Sequence, residues 1–108
     1  MATRHSYLEV VNDAAALLGA QIRDGRARRG WTVRELADRA QLSTKTLLKA
    51  EHGDPTVALG TALQLAALVG VPLFGGDERQ LAIEARAART LLNRRVRRAT
   101  EPDADLDF

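Results

Sequence analysis

The sequence predicts an all-α fold, a compact five-helix domain followed by an additional C-terminal helix and an acidic tail. Three observations carry that expectation. Thr32 and Glu35 stand three apart at the head of an apolar stripe, a capping-box pattern in which each side chain bonds the other's backbone N–H. Ser43 then offers a fresh N-cap to a second stripe. Gly and Pro close the candidate helices, at Gly30, at Gly53-Asp54-Pro55, and at Gly70 with Pro72. A chain of 108 residues has room for one modest core and about five helices.

In chain order, Ser6 with Glu9 caps a short first helix bearing Tyr7, Leu8, Val10 and Val11, so residues 1–12 form an arm or short helix. Asn12 or Asp13 caps the next, from Ala14 through Leu17-Leu18 and Ile22 to about Arg29, where Gly30 ends it. Gly19 and Gly25 weaken this segment by roughly 1 kcal/mol each relative to Ala. Val33, Leu36, Ala37 and Ala40 form the stripe of the helix capped by Thr32. Gln41-Leu42-Ser43 interrupts it. A helix from Thr44 to about Ala50 follows, with Leu47 and Ala50 inward and Thr44, Lys45 and Lys49 outward. Beyond the Gly53-Asp54-Pro55 loop, a helix over about 58–69 buries Leu59, Ala62, Leu63 and Ala66, with Leu65 a further candidate. Residues 13–74 thus make up the compact domain.

Gly75-Gly76-Asp77-Glu78 reads as a linker and helix start. The final helix, within 75–99, places Asp77-Glu78 in its first turn and four arginines in its last, matching both ends of the helix dipole. Leu81, Ala85, Ala88, Leu92 and Val96 form a narrow stripe, which serves either a partner helix or docking on the chain's own domain. Residues 100–108 are Pro-broken and acidic and are expected to be disordered when free.

Charge placement is more informative than the net value of +2. Sixteen basic against ten acidic residues give +6 up to position 100, whereas the last eight positions carry −4. A basic body suits a polyanion. No cysteine is available for a disulfide or thiolate site, and a reducing cytoplasm is the expected location. No run approaches the roughly 20 apolar residues that span a bilayer, so no membrane association is expected. His5 and His52 assemble no metal set, no phosphate-cradling glycine loop is present, and no nucleophile–base pair stands out. Neither an enzyme nor a cofactor is expected.

Two short capped helices joined this tightly cannot lie antiparallel; they are expected to cross at roughly 90–120°, as in a helix-turn-helix. The chain resembles the Xre/Cro–lambda-repressor type of helix-turn-helix domain over residues 18–53. The matching residues are Ile22-Arg23, Arg26, Gly30, Thr32, Glu35-Leu36-Ala37, Ala40, Leu42-Ser43, Leu47, Glu51 and Gly53. Residues 54–74 resemble in particular the HipB-like antitoxins that partner HipA-type kinases. A groove-entering helix needs short donors at its start and longer side chains a turn later. Ser43, Thr44 and Lys45 occupy that start, Thr44 and Lys45 being the first choice for base edges. Lys49 reaches a base or the backbone, and Thr46 and Thr32 touch phosphate. Leu48 touches a thymine methyl or is simply an exposed leucine. Arg23, Arg28, Arg29, Arg34 and Arg39 are generic phosphate candidates.

The resemblance implies a buried structural ion pair between Arg26 and Glu51. It also implies a homodimeric repressor on a palindromic double-stranded operator, paired as an antitoxin with a HipA-like kinase toxin and autoregulating its operon. The alternative is a stand-alone Xre-type repressor without a toxin partner. An architectural protein without sequence preference fits the helix-turn-helix pattern less well. Asp103, Asp105, Leu106, Asp107 and Phe108 form a candidate partner-binding tail, its alternative being a solubilising segment.

Overall fold

The computed structural model describes residues 6–99, with side chains described to Arg94. Five α-helices form among them: α1 (Glu9–Arg28), α2 (Val33–Ala40), α3 (Thr44–Glu51), α4 (Leu59–Leu68) and α5 (Glu78–Ala99). No strand forms among these residues; a single antiparallel bridge pairs Leu73 with Gly76. The chain divides after Pro72 into two compact units, the first holding α1 to α4 and the second α5.

The first unit is built around one large aliphatic side chain from each of its helices. Ile22, Leu36, Leu47 and Leu65 are completely enclosed, and Ala37, Ala40, Ala50, Ala66 and Val69 complete the core. The alanines let the helix axes approach closely, and α3 packs on both α1 and α2. Each buried leucine or isoleucine contributes about 1.5–3 kcal/mol by leaving water, so four side chains and their alanine neighbours carry most of the cohesion.

All four helices of this unit end in the same way. The N–H groups of Trp31, Leu42, Asp54 and Val71 reach back to the carbonyls of Arg26, Ala37, Lys49 and Ala66. The residue before each of those donors, Gly30, Gln41, Gly53 and Gly70, is left-handed. This six-to-one closure satisfies carbonyls that a helix end would otherwise leave unpaired. At the α2–α3 turn the left-handed position is Gln41, with φ 57, a conformation that disfavours any side chain with a Cβ. The turn is held there because Leu42 follows it half-buried and Ser43 caps the next helix.

Three expectations need correction. The short helix expected over residues 6–11 and the one expected from Ala14 are a single helix. Asn12 already donates its N–H to the Leu8 carbonyl, and Leu8, which has no side-chain cap bond, precedes the first turn. Leu59 is 75% exposed rather than buried, and Leu65 is enclosed. Alpha4 is apolar on nearly every side, so its composition does not single out the inward face. Of the α5 stripe, Leu81 and Ala85 are half-buried while Ala88 and Leu92 are exposed; the Val96 side chain lies outside the described ones.

Candidate nucleic-acid interface

Alpha2 begins with both halves of a capping box. Thr32 Oγ1 accepts from the Glu35 N–H at 3.0 Å, and Glu35 Oε1 accepts from the Thr32 N–H at 2.8 Å. The main-chain N–H of Thr32, then its side chain, hold the Glu35 carboxyl below its ordinary range; the charge of Arg39 adds to this. The linkage therefore has a definite sign. The cap contributes in full above the unfolded carboxyl's pKa and is lost as pH falls through the lower folded value. Glu35→Gln, which keeps an acceptor but cannot titrate, is expected to remove that part of the acid sensitivity. Urea melts at pH 7 and pH 3 should show a smaller stability difference in the variant; an unchanged difference would locate the acid sensitivity elsewhere.

Alpha3 is capped by Ser43, whose Oγ accepts from the Thr46 N–H at 3.1 Å and donates to Thr46 Oγ1 at 3.0 Å. Both hydroxyls are therefore committed to fixing the helix start, although Thr46 keeps its own proton to donate outward. Thr44, Lys45, Leu48 and Lys49 are exposed, whereas Leu47 and Ala50 face the core. Lys45 has no carboxylate partner among the described residues. Lys49 Nζ lies 3.9 Å from Asp54 Oδ2, with both side chains partly exposed. Asp54 also accepts from the Thr56 hydroxyl and N–H, which, more than Lys49, hold its carboxyl below the ordinary range.

The other end of α3 is clamped. Arg26 Nε donates to Glu51 Oε2 at 2.6 Å and Nη2 to Oε1 at 3.0 Å, with the Glu51 side chain 3% and that of Arg26 16% exposed. Arg26 Nη1 also donates to the Trp31 carbonyl at 3.1 Å. The Glu51 hydrogen bond holds the guanidinium above even its ordinary pKa, with burial opposing it, so Arg26 stays charged at any working pH. Beside it, Gly19 lets α1 approach the main chain of Ala50, Glu51 and Gly53, where a Cβ would collide with the Ala50 carbonyl oxygen.

The arginines regarded as phosphate candidates separate into two groups. The Arg39 guanidinium stacks 4.2 Å and that of Arg29 5.6 Å from the centre of the Trp31 ring. Arg29 also donates to the Val69 carbonyl at 2.7 Å, joining the ends of α1 and α4. Trp31 as a platform for two arginines is a feature that sequence spacing did not suggest. Its only advance signal is an aromatic residue next to a basic helix end. Arg28 pairs with Asp24 one turn away at 2.8 Å, both exposed. Arg23 and Arg34 are exposed, with no such partner among the described residues. The tail residues Asp103, Asp105, Leu106, Asp107 and Phe108 lie outside the described residues.

Among the described residues no group of His, Cys, Asp and Glu side chains could hold a metal, and no helix is long and apolar enough to cross a membrane. A capped helix, a left-handed turn and a second capped helix presenting hydroxyl and ammonium groups define a DNA-binding regulator of the helix-turn-helix class. Residues 17–82, more than half of the chain, match the family model for the helix-turn-helix domain, and the chain belongs to that family. Comparison with curated proteins and with solved structures found no match.

Proposed function

We propose that the protein is a sequence-specific transcriptional repressor that binds a palindromic operator as a homodimer in the cytoplasm. The observation that carries this reading is the polarity of α3. Its C-terminal end is fixed to α1 through Glu51 and Gly19, while its N-terminal end presents Thr44 and Lys45 to solvent. In a dimer two such helices enter successive major grooves about 34 Å apart. Thr44 and Lys45 read base edges. Thr32 and Thr46 offer their remaining hydroxyl protons to phosphate, and the Ser43 cap holds the helix start in register. Lys49 transfers from Asp54 to DNA, because an exposed pair of that kind is worth no more than about 1 kcal/mol.

Selection from a random duplex library, followed by anisotropy titrations, tests the proposal. Lys45→Ala is expected to weaken the selected site by about 1–2 kcal/mol, the lower part of the base-contact range, because lysine is a point donor rather than a fork. A loss equal on selected and random duplexes would make Lys45 a phosphate contact. Failure of the library to converge on any sequence would overturn the reading.

A second reading adds a protein partner, in which the chain is the antitoxin of a HipA-like kinase toxin and represses their shared operon. It is supported by the likeness of residues 53–74 to HipB-like antitoxins and by the acidic segment containing Asp103, Asp105, Leu106, Asp107 and Phe108. Co-purification with the neighbouring gene's product tests it. A complex lost on deleting residues 101–108 supports the anchor, and operator binding without any partner leaves a stand-alone repressor.

A further inference from the structure

We propose that α5 carries a docking face for an acidic, apolar-alternating peptide, and that its occupant is the chain's own segment 101–108, folded back in cis. Two adjacent ridges make the face. Ile83, Ala87 and Leu91 follow each other at four-residue steps, and Arg86, Thr90 and Arg94 run beside them; together they line one open groove along the helix. Ile83 and Leu91 are more than half exposed, and Arg86 and Arg94 are exposed without a carboxylate partner among the described residues. The Thr90 hydroxyl donates to the Arg86 carbonyl at 3.1 Å, so it is its methyl that is left for a ligand. Seven arginines stand in α5 against two acids, and one of these, Glu84, already accepts from Gln80 Nε2 at 2.9 Å.

The segment complements that face in both chemistry and period. Carboxylates occupy 101, 103, 105 and 107, and Pro102, Ala104, Leu106 and Phe108 alternate with them. An extended chain places alternate residues on opposite edges, one edge here being anionic and the other apolar. Same-edge side chains recur about every 6.7 Å in such a chain, against about 6 Å for four residues of helix. The two repeats stay matched over the two or three steps available.

Reach is sufficient. Pro102 does not continue a helix, so a turn at 100–102 leaves 103–108 to run antiparallel to α5. Those six residues span about 20 Å when extended, and the ridge from Arg94 back to Ile83 is about 17 Å long. Step for step, Asp103 and Asp107 then meet Arg94 and Arg86 with Asp105 beside Thr90, and Ala104, Leu106 and Phe108 cover Leu91, Ala87 and Ile83. The DNA reading is not needed for this contact and does not bear on its test.

The 108-residue chain has no cysteine, so Ala104→Cys gives a single site for a nitroxide label. The Ile83 and Leu91 methyl resonances should lose at least fivefold in intensity relative to the same sample with the label reduced; unchanged intensities overturn the proposal. Asp103→Lys with Asp107→Lys should abolish the loss, and adding Arg86→Glu with Arg94→Glu should restore it. Persistence of the loss in the Lys variant overturns the charge pairing whatever the Glu substitutions do to α5. Labelled, unenriched chain is also mixed with unlabelled, isotope-enriched chain. Broadening in that mixture would assign the occupant to a second copy and overturn docking in cis.

Discussion

Glu51→Ala is expected to destabilise the first unit by about 3–5 kcal/mol, the range for removing one partner of a buried ion pair. Among the described residues Glu51 is the one buried charged residue, and both its oxygens are used by Arg26 in a forked geometry. Without the carboxylate, Arg26 is left largely enclosed, its charge answered only by the Trp31 carbonyl. A loss of that size is a large fraction of the total stability of a small domain. Arg26→Lys is expected to fall short of rescue, because an ammonium cannot reproduce the two parallel bonds. Replacing both residues, as Arg26→Met with Glu51→Leu, separates the two roles of the pair. A double variant as stable as the parent would show that the pair serves geometry more than cohesion. Its affinity for DNA then reports whether α3 has kept its angle to α1. Guanidinium melts of the four proteins measure this, and a Glu51→Ala loss below about 1 kcal/mol would refute the account of a desolvated pair.

The parts of this fold legible in the sequence are those set by local chemistry. The capping box at Thr32, the cap at Ser43 and the inward set Leu36, Ala37, Ala40, Leu47 and Ala50 each rest on a pattern a few residues long. What was not legible depended on partners distant in sequence. Asn12 and Asp13 are residue types that begin helices, yet here they sit exposed inside α1, because the chain before them is already helical. The rotation of α4 is decided by its packing on α1 and α2, and a helix so uniformly apolar carries little directional information of its own. Arg29 and Arg39 offer the same charge as Arg34. Only the convergence of the α1 and α2 ends on Trp31 distinguishes them. At the candidate interface the sequence located the exposed helix start, whereas the engagement of Ser43 with Thr46 and of Lys49 with Asp54 needed coordinates.

Gly19→Ala is the case in which local and tertiary reasoning give opposite signs. In an isolated helix the change stabilises by about 1 kcal/mol, since glycine loses more backbone freedom on folding. In this protein it is expected to destabilise by about 3 kcal/mol, the upper part of the overpacking range. The atoms a Cβ would meet are the carbonyl oxygens of Ala50 and Glu51 and the Gly53 nitrogen. None is the flexible end of a side chain, so relief requires α3 to move as a body away from α1. Gly53 closes the contact from the other side, because it is left-handed with φ 78 and its own Cβ position falls 2.7 Å from the Ala16 Cα. The two glycines therefore bring two helix backbones together where Glu51 also pairs with Arg26, and a shift at one should strain the other. Additivity provides the sharper measurement. Sites sharing one contact couple by about 0.5–3 kcal/mol, whereas distant sites add. Gly19→Ala combined with Glu51→Ala should thus cost less than the two single losses together, since a displaced α3 has already weakened the ion pair. Strictly additive losses would mean that α1 holds α3 through two independent contacts, and a stabilising Gly19→Ala would show that α3 has room to retreat.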